Sequence, residues 1–148
     1  MPANEHDVGR IETLIAYASA NAEAYREAAH DAEGFRAAAP LAHRAQERQA
    51  VAAHLRAYLR MAPADEPSGE RVPAAPVVEV RRAAAPTDAE VVEAASRDEV
   101  ELQAAFESAL GDRALSGPAR EMVLKAYVAV RTGADQIRDL CRALHGGA

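Results

Sequence analysis

The sequence predicts an all-α four-helix bundle. Three observations carry that prediction. Apolar residues recur at helical spacing along four long stretches. Five of the chain's eight prolines (Pro63, Pro67, Pro73, Pro76 and Pro86) fall in one stretch between the second and third of these. Apolar residues are 49% of the chain and aromatics only 4%, so the core is alanine-rich, which suits helices packed closely. A length of 148 residues suits one core, and 1–148 reads as a single domain.

Helix 1 is expected over about 7–31, with Asn4 or Asp7 as its cap. Its stripe is Ile11, Leu14, Ile15, Ala18, Ala22, Tyr25 and Ala29, with Glu12, Glu23 and Glu27 turned away. Gly34 marks a turn. Helix 2 spans about 35–61, although Pro40 predicts that its regular part starts only near Ala39. Leu41, Val51, Leu55, Tyr58 and Leu59 form its stripe, and Arg44 and Arg48 lie unusually on that same stripe. A short turn between two long helices makes them antiparallel neighbours.

The proline-rich stretch over 61–86 is a crossover. Helices of this length measure about 38 Å, and an extended crossover at about 3.1 Å per residue reaches that far. Helices 2 and 3 are therefore parallel or antiparallel; the sequence leaves this open. A short extended segment is expected at Val77-Val78-Glu79-Val80. Thr87 and Glu90 have capping-box spacing and start helix 3, about 87–110. Its stripe is Val91, Ala95, Leu102, Phe106 and Ala109, with Asp98 and Glu99 at the edges. Ser116 or Gly117 caps helix 4, about 117–145. Its stripe is the cleanest: Val123, Tyr127, Val130, Ala134, Ile137, Cys141 and Leu144.

Charge narrows the function. Charged residues are 27% and the net charge is −6, which argues against a nucleic-acid partner. The single cysteine, Cys141, excludes an intramolecular disulfide and a thiolate metal cluster. Its place on the helix 4 stripe reads as a packed thiol. No apolar run reaches the roughly 20 residues of a membrane span, and residues 1–10 lack a signal-peptide pattern, so a cytoplasmic protein is expected. There is no glycine-rich phosphate loop, no Gly-x-Ser-x-Gly and no His-Glu-x-x-His. His6, His30 and His145 lie near helix ends and read as structural. The four tyrosines read as core or boundary residues with hydroxyls on water or backbone.

Several segments carry a resemblance: Tyr25-Arg26-Glu27-Ala28-Ala29 with His30-Asp31-Ala32, the turn Ile11–Ile15, Gln46-Glu47-Arg48 with Leu55, Arg97-Asp98-Glu99 leading to Phe106–Leu110, and Ile137–Leu140. Together they resemble an uncharacterised bacterial ferritin-like family of four-helix bundles. The resemblance covers about 7–59 and 87–144 and does not extend to 61–86. It implies a ferritin-like bundle and no particular activity.

Ferritin-like bundles that do oxygen chemistry hold two metals with a Glu from each of two helices and Glu-x-x-His from each of the others. The i, i+3 spacing keeps both groups on one helix face. Here Glu47 is followed three residues on by Ala50, His54 lies two turns away, and His43 is one turn before Glu47. This loose line reads as a solvated flank. Helix 3 offers Glu99 beside Asp98. Helix 4 offers no inward carboxylate or histidine, with Ala134 where the family would place a His. The set predicts no complete di-iron site, no cofactor and no catalytic residue. Glu47, His54 and Glu99 remain as weak metal candidates. In place of metal, Arg44 and Arg48 either pair with Asp98 and Glu99, since unpaired charges resist burial, or run their side chains out to water along the edge of the bundle.

The expected function is a non-enzymatic helical module that self-associates or binds a helical protein partner. The alternative is a metal-binding ferritin-like oxidoreductase. Binding of a small molecule at the bundle centre is a third possibility without a sequence mark.

Overall fold

The computed structural model describes residues 4–61 and 87–146. They form four helices: α1 (Glu5–Asp31), α2 (Phe35–Met61), α3 (Asp88–Leu110) and α4 (Gly117–Gly146). No strand occurs among the described residues. The predicted crossover and the segment Val77–Val80 lie outside them. No helix among the described residues is long and apolar enough to cross a membrane.

Local chemistry sets the boundaries. Asn4 caps α1, its Oδ1 accepting from the Asp7 amide at 2.8 Å. The capping box of α3 is formed, with Thr87 Oγ1 accepting from the Glu90 amide and Glu90 accepting from the Thr87 amide. At α4 the cap is Ser116, whose Oγ accepts from the Ala119 amide at 3.4 Å. Pro40 does not delay α2, which is helical from Phe35. The Gly34 carbonyl accepts from both Ala37 and Ala38, so the first turn closes without the proline's missing N–H.

The helices form a square. α1 packs beside α2 and α3, and α4 beside the same two, leaving α1/α4 and α2/α3 on the diagonals. At one end, the head, the Asp88 carboxylate at the start of α3 accepts from the Glu33 and Gly34 amides at the α1–α2 turn, both at 2.9 Å. At the other end, the base, Asp112 just after α3 accepts from His6 and Arg10 near the start of α1. So α3 runs opposite to α1 and parallel to α2. The pairing of the described helices thus settles an orientation the sequence left open.

The core is divided. Toward the base, Ile11, Leu14, Val51, Leu55, Leu102, Phe106, Val123 and Val130 form one buried cluster with several alanines. Toward the head, Tyr25, Leu41, Val91, Val92 and Ile137 form a second with Ala37, Ala45 and Ala95. Cys141 and Leu144 pack, half-buried, against the second. Between the two clusters lies a layer of polar side chains.

Candidate functional site

The layer is centred on Arg48, which is fully buried. It sits on α2 between Ala45 and Val51, both core residues, so helical periodicity drives it inward. A buried guanidinium must place its N–H groups on acceptors. All three of its nitrogens do so. Nε donates to Asn21 Oδ1 and to Glu99 Oε1, each at 3.0 Å. Nη1 donates to Glu47 Oε1 at 2.9 Å. Nη2 donates to Glu99 Oε1 and, at 3.1 Å, to the Val130 carbonyl. One side chain therefore ties α2 to all three other helices.

Tyr25 completes the layer from α1. Its hydroxyl donates to Glu99 Oε1 at 2.6 Å, and the Arg48 guanidinium lies 6.0 Å from its ring centroid. Burial, reinforced by the adjacent Glu99 carboxylate, pushes this phenol far above its ordinary range. It stays protonated and acts as a donor. The expectation that the tyrosine hydroxyls meet water or backbone is corrected here, because a buried carboxylate is the nearer acceptor. Tyr127 likewise donates to Glu107 at 2.6 Å.

The expected pairing of two arginines with Asp98 and Glu99 is half right. Arg48 meets Glu99. Arg44, also buried, instead donates to Glu47 Oε2 at 2.6 Å, one turn along its own helix. Asp98 takes no part. Its half-buried carboxyl is raised above the ordinary range, first by desolvation and then by neighbouring Glu101. Successive helical residues diverge by 100°, so Asp98 and Glu99 cannot share one partner across the bundle.

Of the three weak metal candidates, the structure brings two together. Glu47 and Glu99 flank Arg48, and both accept hydrogen bonds from it. His54 is exposed on the outer side of α2. Among the described residues, no group of three or more His, Cys, Asp or Glu side chains converges as a metal-ligand set. The donor set does not fit a di-iron centre: α4 presents Gly133 and Ala134 at this level, and a guanidinium stands between the two carboxylates. A half-open groove of about 660 Å³ lies elsewhere, on the seam of α1 and α3, lined by Arg10, Thr13, Tyr17, Glu101 and Ser108 over Leu14 and alanines.

Two members of the layer escaped the sequence reading. Asn21 is buried on α1, one residue before Ala22 of the stripe. Gly133 lies buried in α4. A Cβ there would stand 2.6 Å from Arg44 Nη1, 2.7 Å from Arg48 Nη2 and 2.8 Å from Glu47 Oε1. The signal was available: glycine inside a helix is about 1 kcal/mol worse than alanine and marks a close approach. Comparison with family models, with curated proteins and with solved structures found no match to this chain.

Proposed function

We propose that this chain is a ferritin-like bundle with a degenerate metal position, which works without catalysis by associating with a second copy or with another helical protein. One observation carries the reading. Arg48 occupies the centre of the bundle and takes up Glu47 and Glu99, the carboxylates that a ferritin-like site would turn toward metal. A fixed guanidinium already supplies the positive charge they need, and a divalent ion would have to approach it against like charge. The parallel run of α2 and α3 supports the ferritin-like connectivity, which requires a long crossover. Leu124 and Val128, exposed one turn apart on α4, supply apolar surface for association.

One observation favours the alternative, a metal-binding oxidoreductase. Glu99 Oε2 and Asn21 Nδ2 are buried without hydrogen-bond partners among the described residues, so the layer retains one unused acceptor and one unused donor. Elemental mass spectrometry of protein soaked in ferrous iron separates the two. Negligible iron is expected. One or two equivalents per chain, lost in Glu99→Ala, overturns the non-enzymatic reading.

A further inference from the structure

The association surface is legible in the outer face of α4. Leu124 and Val128 expose 51% and 60% of their surface, whereas Val123, Val130, Ala134 and Ile137 on the inner side of this helix are buried. Glu121 and Arg131 continue the same outer face, three residues before Leu124 and three after Val128, and both are exposed. Spacings of three and four residues place these four side chains in one row. Among the described residues Glu121 has no ion-pair or hydrogen-bond partner, and Arg131 meets only the Tyr127 ring of its own helix, at 5.9 Å.

The row is self-complementary in one direction. Two copies of α4 set antiparallel about a two-fold axis at the level of Ala126 bring each residue opposite the one equally far beyond that level. Leu124 then meets Val128 of the second copy, and Val128 meets its Leu124. Glu121 meets Arg131 on one side of this apolar centre, and Arg131 meets Glu121 on the other. Gly117 falls opposite Asp135, where the lack of a side chain permits close approach. A parallel pair in register would instead set Glu121 on Glu121 and Arg131 on Arg131. The charge order therefore selects the antiparallel, isologous arrangement.

We infer that the outer face of α4 is a homodimer seam, antiparallel and two-fold, with Leu124 and Val128 at its centre and Glu121–Arg131 ion pairs at both ends. This rests on the self-association reading above and assigns its surface. A single helix pair is smaller than a standard interface, so the dimer is concentration-dependent.

Charge reversal tests it. Sedimentation equilibrium of the full chain over a concentration series should show a monomer–dimer equilibrium. Glu121→Arg alone and Arg131→Glu alone should each weaken the dimer by about tenfold or more, because each places two like-charge contacts in the seam. The double variant E121R/R131E should restore it, as should mixing the two single variants, which pairs opposite charges at both ends. Circular dichroism should show unchanged helicity, since all four residues are exposed. A wild-type dimer insensitive to either reversal overturns this seam and leaves self-association standing. A wild-type chain that stays monomeric up to millimolar concentration overturns both.

Discussion

Two ionic networks, one in the middle of the bundle and one at its base, work under opposite conditions. In the middle, Arg48 and Glu99 are buried, on 0% and 3% exposed residues. At the base, Asp112 accepts from His6 and Arg10, whose side chains are 47% and 34% exposed. A second carboxylate there, Asp7, is buried and accepts from the Ser116 amide at 2.9 Å and from its hydroxyl at 2.5 Å. Arg120 closes the same turn, donating to the Leu110 and Asp112 carbonyls. The middle network is expected to contribute little net stability, because both charges lose their hydration, and to act mainly by enforcing pairing, since any misfit strands a charge. At the base, the ion pairs of Asp112 with His6 and Arg10 are partly exposed and screened, so they contribute modestly and depend on pH and salt.

The largest expected effect breaks the middle network on one side. Arg48→Leu leaves Glu99 buried without its cation and should destabilise by about 3–5 kcal/mol, measured as a lowered urea midpoint. Replacing both partners, Arg48→Met with Glu99→Leu, should recover most of that loss, because neither charge then remains. A double variant no more stable than Arg48→Leu would show that the layer is a true stabilising unit and not a pairing device.

Gly133→Ala comes next. Its Cβ would force both guanidinium groups and Glu47 to shift, against the usual gain of alanine in a helix. A net loss of about 1–3 kcal/mol is expected by the same denaturation, as for overpacking. A net gain would mean that the arginines have room to move.

At the base, Asp7→Ala removes a buried acceptor from the start of α4. A loss of about 1–3 kcal/mol is expected, since the Ser116 amide is left unsatisfied. Hydrogen exchange should localise the change to the α3–α4 turn and the first turns of α1 and α4. Uniform acceleration across the bundle would contradict this.

The smallest effect is at Asp112. Hydrogen bonds from Arg10, then from the Ala114 amide and His6, hold its carboxyl well below the usual range. A depressed folded-state value gives stability that is complete above the unfolded pKa of about 3.9 and is lost as pH falls toward the folded one. Asp112→Asn should therefore be less stable than wild type at pH 7, with the difference shrinking below about pH 4. A constant offset across that range would show that the amide replaces the carboxylate in shape alone.

Much of this was legible from periodicity. The stripes of α1, α3 and α4 predicted most of the buried positions, because a 3.6-residue repeat and the core side of a helix are the same fact. The capping box at Thr87 and Glu90 marked a helix start that the structure keeps. Arg44 and Arg48 on an apolar stripe left two outcomes, buried ion pairs or side chains reaching water along the bundle edge, and the structure buries both. Their partners were less legible. Arg44 met Glu47 on its own helix, and Arg48 met Glu99 with Asn21 and Tyr25, because choices among neighbouring carboxylates turn on side-chain direction across helices.

The sequence by itself determined four helices and their facing sides, since these are local consequences of spacing and capping. Only the tertiary structure decided that α2 and α3 run parallel, that Gly133 clears room for two guanidinium groups, and that one arginine joins all four helices. Those facts depend on which residues of distant segments reach the same level of the bundle. No local pattern encodes that level; it follows from packing the helices together.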